Sequence, residues 1–193
     1  MRVVALAECG AGALIAAAVG GYNKGEKTLT KEVLVNFEPG MVVTADRNFP
    51  GYELWRDAAA TGAALLFRAR SSVDFPIDQV LKDGSYLSRL KTPRDLRKSG
   101  AQDITVRVIK YQLTDDLGDS TETFTLISTL FDPELAPAVE LAELHNDRWP
   151  IETAIGAFKS KLKGNGVALR SRTLTAQSKN SGHCCALTTQ LEI

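Results

Sequence analysis

The sequence predicts an α/β fold, with a mixed β-sheet, flanking helices and a β-rich insertion before the last helical segment. Two observations support this class. Short apolar runs alternate with segments of helical spacing over the first 72 residues, and the pattern changes to strand-like alternation from Val73 to Asp132. The 193 residues are 44% apolar and 24% charged, which is ordinary for a globular domain with a sizeable core.

The first elements are predicted from apolar runs and turn residues. Arg2–Cys9 and Ala13–Val19 are strand-like runs, and Gly10-Ala11-Gly12 between them suits a tight hairpin. Glu26–Asn36 has apolar residues at helical spacing and is predicted as a helix. Met41–Ala45 is a short run rich in β-branched residues, which is typical of a buried strand.

The next elements continue this order. Gly51–Thr61 is predicted as a helix and Ala63–Ala69 as a strand. Two antiparallel strands, helix, strand, helix and strand together favour an α/β sheet with a mixed edge. Chemistry in such sheets gathers at the carboxyl ends of parallel strands, and Asp46 directly follows the strand Met41–Ala45.

The second half of the chain divides into a β-rich and a helical part. Ile104–Leu113 and Phe124–Leu130 alternate and are predicted as strands, whereas the basic stretch Arg89–Lys98 is predicted as a solvated loop. Helical spacing covers Ala136–Lys163, and Pro150 separates two helices or kinks one. The predicted parts are a first core part (1–72), a β-rich insertion (73–132), a second core part with the final helices (133–173) and a tail (174–193).

Composition narrows the class of protein. Lys plus Arg and Asp plus Glu number 23 each, so the overall charge gives no indication of a nucleic-acid partner, and a DNA-binding surface would have to be local. Three cysteines, an odd number, fit a reducing cytosol. The apolar opening Val3–Gly21 contains Glu8 and recurring glycines, which argues against a signal peptide or a spanning helix. We expect a cytoplasmic protein without a membrane partner.

Asp46, within Ala45-Asp46-Arg47-Asn48-Phe49, is the first candidate for chemistry. A carboxylate that ends a strand and faces a loop is well placed to bind a metal ion. The alternative is structural, because an Asp at this position can also cap the turn into the following helix. The sequence around Asp46 leaves both interpretations open.

The segment Arg148-Trp149-Pro150-Ile151-Glu152, with Lys159 and Lys163 beyond it, is the second candidate. If a helix follows the proline, Glu152 and Lys159 are seven residues apart and share one helix face. Lys159 and Lys163, at i and i+4, form a basic pair that suits a phosphate backbone. The alternative is an amphipathic helix with a solvated charged face.

Taken together, these segments resemble DDE-type transposases of insertion sequences, in the branch marked by a Tyr-Arg-Glu-Lys signature. In that signature Arg follows Tyr by three residues, Glu follows Arg by four and Lys follows Glu by seven. Arg148, Glu152 and Lys159 fit this spacing, and His145 stands at the Tyr position, which is a departure. The resemblance extends over Arg2–Thr173.

The resemblance implies a ribonuclease-H-like fold with a β insertion before the final catalytic helix. It implies that Asp46 and Glu152 are catalytic ligands of Mg²⁺ or Mn²⁺, ions that prefer oxygen ligands and that stabilise the oxygens of an in-line displacement at phosphorus. The residues implied to contact DNA are Arg148, Lys159, Lys163 and His145. The implied partner is the DNA of transposon ends at the bacterial nucleoid, and a homodimer is the assembly to test.

The beginning of the sequence departs from the family pattern. The family carries its first catalytic Asp on a central strand that would precede Arg2, and only Met1 does so here. Glu8 lies on a different predicted strand and does not take that role. We therefore expect the first central strand to be missing and two unpaired strand edges beside its place. Either the chain is a truncated enzyme with little or no strand cleavage, or the true start lies upstream.

The tail departs as well. After Thr173 the family continues with a Pro and an apolar helix, whereas this chain is polar and shows no helical stripe. Reading the codons one base out of frame can turn Lys179–Cys185 into Gln-Glu-Phe-Trp-Ala-Leu-Leu. We therefore hypothesise a one-base frameshift just after Thr173, which the nucleotide sequence of the gene tests.

The leading prediction is a DNA transposase catalytic domain, performing metal-dependent strand cleavage and transfer, in an impaired copy. The alternatives are a non-catalytic DNA-binding remnant and an unrelated α/β interaction module. A double substitution of Arg148 and Lys159 separates the last from the others, because DNA affinity and its salt dependence change only if this face binds DNA.

Overall fold

A computed structural model of the chain describes residues 2–10, 13–21, 23–49, 51–114, 120–146 and 183–190, with backbone alone at 113–114, 120–122 and 183–190. The strands in these ranges are β1 Arg2–Glu8, β2 Leu14–Gly20, β3 Met41–Ala45, β4 Ala64–Arg68, β5 Gln79–Val80, β6 Tyr86–Leu90, β7 Ile104–Thr114, β8 Ser120–Ser128 and β9 His183–Gln190. The helices are α1 Glu26–Val33 with a following 3₁₀ turn Leu34–Asn36, α2 Tyr52–Ala59, α3 Arg94–Lys98 and α4 Ala138–Asn146.

The described strands form one mixed sheet in the order β2-β1-β9-β3-β4-β8-β7-β6-β5. β3 runs parallel to both of its neighbours, β4 and β9, and all other pairs are antiparallel. The predicted mixed α/β sheet is therefore confirmed. Its parallel centre places the carboxyl ends of β3 and β4 at the same edge.

The place between β1 and β3 is filled by β9, which corrects our expectation of two unpaired edges there. β9 pairs antiparallel with β1, from Val3↔Gln190 to Glu8↔Cys185, and parallel with β3, from Met41↔His183 to Ala45↔Leu187. A segment of the predicted tail thus supplies the backbone hydrogen bonds that the edges of β1 and β3 require.

The β-rich insertion extends the same sheet, because β8 pairs with β4 and with β7. The prediction of a solvated loop over Arg89–Lys98 is wrong in part. Its first residues belong to β6, in which Tyr86 and Ser88 are buried and which pairs with β7 along its length. Its last residues form α3, a five-residue helix without buried residues that starts directly after Pro93.

The first side of the sheet, here called the α2 face, carries α1 and α2 over a continuous apolar cluster. Alternate strand residues such as Val43 and Leu65 point into it. Trp55 of α2 is fully buried and meets Phe67 of β4 edge-on, with ring centroids 5.3 Å apart. Gly62 ends this helical unit at φ 84°, a left-handed conformation that glycine adopts without strain.

The opposite side, here called the α4 face, carries a smaller apolar cluster. Its fully buried members among the described residues are Leu66, Ile109, Leu126 and Leu141. Leu141 comes from α4, and Val42 of β3 packs against the cluster from the sheet. The cluster therefore joins α4 to strand residues of β4, β7 and β8. None of the described helices is long and apolar enough to cross a membrane.

Candidate active site

Asp46 lies directly after the last residue of β3 and is half-buried. Its carbonyl oxygen accepts a hydrogen bond from the Phe49 backbone N–H at 3.0 Å, which begins a turn. The N-cap of α2 is Gly51, which makes no side-chain capping bond. Asp46 is therefore not the N-cap residue of α2, and both interpretations of Asp46, as a metal ligand and as a residue that caps the turn, stay predictions.

The alternation of β3 indicates the side of the sheet to which Asp46 belongs. Val43 and Ala45 pack into the cluster of the α2 face, whereas Val42 packs into the cluster of the α4 face. Thr44, between Val43 and Ala45, is fully buried. Residues two apart in a strand point to the same side, so Asp46 lies on the side of Val42, which is the α4 face.

Arg68 is the nearest charged neighbour of Asp46 in strand register. The parallel pairing Ala45↔Phe67 brings the next residues, Asp46 and Arg68, side by side at the carboxyl edge of β3 and β4. Arg68 is half-buried, and its guanidinium carbon lies 4.2 Å from the centroid of the Phe124 ring, within the range of a cation–π contact. The edge therefore combines a carboxylate with a cation held in place by an aromatic ring.

Sequence reasoning missed Arg68, although the signal for it was present. Ala63–Ala69 was predicted as the strand that follows Met41–Ala45, and a basic residue ends it. Two parallel neighbours end at the same edge, so the residues that end them are candidates for one site.

A second connection fastens the loops at this edge. The Arg70 side chain donates from Nε to the carbonyl oxygen of Arg47 at 3.2 Å. This bond joins the loop after β3 to the loop after β4, and both loops start at the carboxyl edge. The loop that begins at Asp46 is thus held by the loop after the neighbouring strand β4.

His145, predicted to contact DNA, is a buried residue of α4 with 4% of its surface exposed. Its Nδ1 lies 3.1 Å from the Tyr111 hydroxyl, which also donates to Oδ1 of Asn146 at 3.1 Å. The Tyr111 ring stacks on Phe124 with centroids 5.2 Å apart. The described contacts of His145 are within the protein, and a contact with DNA stays a prediction.

The last described residues of α4 lie at the edge occupied by Asp46. Tyr111 of β7 pairs with Phe124 of β8, and Phe124 contacts Arg68 at the end of β4. Since Tyr111 also contacts His145 and Asn146, this part of α4 lies near the same edge. The other predicted site residues, which lie outside the described residues, are Arg148, Glu152, Lys159 and Lys163.

Of the two carboxylates predicted to bind a divalent metal ion, Asp46 is the one that lies among the described residues. A half-buried carboxylate at a strand end is a suitable oxygen ligand for Mg²⁺ or Mn²⁺. The neighbouring strand β9 reaches this level with Leu187 and carries no acidic residue from His183 to Gln190. No group of three or more His, Cys, Asp or Glu residues at metal-binding distance occurs in the described ranges. They thus supply one of the two predicted carboxylates.

Comparison with known families identifies the chain's relatives. A family model described as a transposase DDE domain matches residues 1–188. The matched region runs from the start of β1 into β9, and it includes Asp46, α4 and the predicted Glu152. No curated protein matches the chain.

Proposed function

The chain belongs to the transposase DDE domain family, and from that premise we propose that it acts on transposon-end DNA through a divalent-metal site formed by Asp46 and Glu152. The observation that supports the proposal is a shared edge: Asp46, directly after β3, lies at the same edge of the sheet as His145 and Asn146, the last described residues of α4. Family membership supports transposition as the process, and the position of Asp46 supports its role in it.

Chain length is compatible with this pairing. Glu152 follows Asn146 by six residues (146 to 152), and an extended chain of that length spans up to about 20 Å. Three strand steps of about 4.8 Å separate β3 from β7, or about 14 Å. A segment of this length, if extended, is long enough to bring Glu152 to Asp46.

The basic residues divide by position. We propose that Arg148, Lys159 and Lys163 contact the phosphate backbone, as the Tyr-Arg-Glu-Lys branch implies. Arg68 stands beside Asp46 in register and would meet a phosphate bound at the carboxylate. A bound metal ion would neutralise charge on the reacting phosphate, while these side chains bind and orient the DNA.

Strand cleavage by this chain is expected to be weak. The strand beside β3 brings Leu187, and then Thr188, to the level of Asp46, so it contributes no carboxylate next to Asp46. Two carboxylates suffice to bind an ion and DNA, but they provide fewer ligands for a two-metal arrangement. A DNA-binding role without cleavage is therefore the second candidate function, and the absence of acidic residues in β9 favours it.

A Mn²⁺ titration followed by electron paramagnetic resonance tests the metal site. Asp46→Asn and Glu152→Gln should each weaken Mn²⁺ binding by at least about tenfold, since even an outer-shell substitution commonly costs that much. The matched control is Asp95→Asn, the same substitution at an exposed position of α3. Equal affinities in wild type, Asp46→Asn and Asp95→Asn would refute the proposed site.

DNA binding is tested separately with the double variant Arg148→Ala, Lys159→Ala. Loss of two phosphate contacts should lower the slope of log affinity against log salt by about 1.8 on duplex DNA. The wild-type protein, incubated with supercoiled DNA and Mn²⁺, distinguishes the two candidate functions. Nicking that disappears in Asp46→Asn supports the enzyme, and DNA binding without nicking supports the second candidate.

A further inference from the structure

A surface pocket with a volume of about 130 Å³ lies where α1, the start of α2 and the approach to α3 meet. Its lining includes Lys27 and Lys31 of α1, Gly51 and Glu53 at the start of α2, and Pro93, which precedes α3. The pocket therefore joins three elements that are distant in sequence, on the α2 face of the sheet. None of these residues belongs to the candidate metal site.

Lys27 stands where the stability of α1 does not favour a cation. It is the second residue of the helix, and the start of a helix carries partial positive charge that favours acidic side chains. Lys31 follows at i+4, where like charges on one helix face repel each other. Within the described ranges Lys27 makes no hydrogen bond or ion pair, and its Nζ lies 3.9 Å from the position of a Cβ added to Gly51. Local stability gives no reason for this pair of lysines, whereas an anionic ligand would.

Lys31 is engaged only weakly by its acidic neighbour. Its Nζ lies 3.8 Å from Oδ2 of Asp57, and 53% of the side chain is exposed. Asp57 already accepts two hydrogen bonds from Arg56, at 2.9 Å and 2.7 Å. An exposed ion pair contributes little to stability, so Lys31 stays able to bind another anion.

Two more cations flank the pocket on either side of Pro93. Lys91 and Arg94 are exposed, and neither makes a hydrogen bond or an ion pair in the part of the chain that the structure describes. The backbone between them is held, because the Thr92 N–H donates to Oδ1 of Asp103 at 2.8 Å. Two unpaired cationic side chains thus extend from a fixed segment beside the pocket.

These cations form a local excess of positive charge. The name basic surface is used below for Lys27, Lys31, Lys91 and Arg94. Two carboxylates lie close to them, since Glu53 lines the pocket and Asp95 is in the first turn of α3. The excess is notable because basic and acidic residues balance at 23 each over the whole chain. A local basic patch in a chain of this kind suits a polyanionic partner.

The basic surface adjoins the edge that carries Asp46. Gly51, in the pocket, follows Asp46 by five residues (46 to 51), and a chain of that length spans at most about 17 Å. One turn of duplex DNA extends about 34 Å. One duplex is therefore long enough to contact the basic surface and the edge at Asp46 together.

We propose that the basic surface binds the phosphate backbone of duplex DNA, on the α2 face beside the edge that carries Asp46. This inference rests on the proposed function for the identity of the partner. It adds a second contact region, separate from Arg148, Lys159 and Lys163. Phosphate contacts carry no information about bases, so binding at this surface is independent of the DNA sequence.

The first test is the double variant Lys27→Ala, Arg94→Ala, with duplex DNA binding followed by fluorescence anisotropy over a range of salt concentrations. Loss of two phosphate contacts should lower the slope of log affinity against log salt by about 1.8. The matched control is Lys24→Ala, Lys82→Ala, which removes the same net charge from lysines that are already in ion pairs. The control should keep the wild-type slope.

Gly51→Asp is a second test, whose expected result a loss of folding cannot imitate. Gly51 is the N-cap of α2 with an extended backbone, and an added Cβ would meet only the Nζ of Lys27 within 4 Å. Asp is a preferred N-cap residue, so the melting temperature should not fall. Its carboxylate beside Lys27 should lower the salt slope by about 0.9. Gly51→Ser, which supplies a neutral cap, is the matched control and should keep the wild-type slope.

The outcomes separate this inference from the proposed function. If the wild type binds DNA and both Lys27→Ala, Arg94→Ala and Gly51→Asp keep its slope, the basic surface is wrong and the proposed function stands. An equal decrease in Lys24→Ala, Lys82→Ala would assign the effect to overall charge and would also overturn the inference. A wild type that binds no duplex DNA overturns both proposals. Lower slopes confined to the variants of the basic surface and its pocket support the inference.

Discussion

The α2 face and the α4 face of the sheet are held by different kinds of contact. On the α2 face, α1 and α2 cover a continuous apolar cluster that includes Trp55 and Phe67. On the α4 face, the described residues give a small apolar cluster with polar contacts from Arg107 just before α4 and from Tyr111 to Asn146 of α4. Apolar packing is non-directional, whereas hydrogen bonds depend on direction. The comparison indicates that the α2 face supplies stability and the α4 face supplies orientation.

The largest effect is expected on the α2 face. Trp55→Ala removes a fully buried side chain and should lower the free energy of unfolding by about 3–5 kcal/mol. Urea unfolding followed by circular dichroism measures the loss. If the two faces have separate roles, the Mn²⁺ affinity of the protein that remains folded should match the wild type, and a large loss of affinity would contradict that separation.

A smaller loss of stability is expected on the α4 face. Arg107→Met leaves Asp83 and two backbone carbonyl oxygens without their buried donor. Because the Asp83 side chain keeps 19% of its surface exposed, we expect a cost of about 2–3 kcal/mol, below the range for a fully buried pair. Unlike Trp55→Ala, this variant should also weaken Mn²⁺ binding. A Mn²⁺ affinity equal to that of the wild type would contradict the separate roles of the two faces.

The smallest effect is a pH dependence from Asp83. Burial acts to raise the pKa of its carboxyl group, but hydrogen bonds from Ser85 and Ala138 and the charge of Arg107 outweigh it and lower the pKa below the ordinary value. A lowered folded-state pKa stabilises the protein above the ordinary carboxyl pKa, and that stabilisation is lost as the pH falls through the lowered value.

The check compares wild type with Asp83→Asn by urea unfolding at about pH 6 and about pH 3. The wild type should lose more stability than the variant on acidification, because the variant has no carboxylate to protonate at this position. Equal losses would show that Asp83 does not contribute to the acid sensitivity, and that the start of α4 relies on Arg107 alone.

Local sequence signals predicted the elements that depend on local patterning. The β-branched run Met41–Ala45 was predicted as a strand with the bounds that the structure gives, and Asp46 was identified as the residue that ends it. The helix over Glu26–Asn36 was also confirmed, as α1 with its 3₁₀ turn. In each case the apolar spacing within the segment carries the information.

Features that depend on distant partners could not be predicted in this way. β9, with the sequence HCCALTTQ, lacks a clear alternation, and its strand conformation depends on pairing with β1 and β3 on both sides. Arg107 lies in a segment that alternates like an ordinary half-exposed strand, and its burial requires Asp83 and the carbonyl oxygen of Ala136. Tyr111 meets His145 from 34 residues away.

The central proposal is that Asp46, together with Glu152, forms a metal site at the edge of the sheet where His145 and Asn146 lie. Paramagnetic broadening of backbone amide resonances by Mn²⁺ measures this most directly. Broadening should be strongest at Arg47, Arg68 and Asn146, weak or absent in α3, and abolished in Asp46→Asn. Broadening that spares Asn146, or that persists in Asp46→Asn, would contradict the claim.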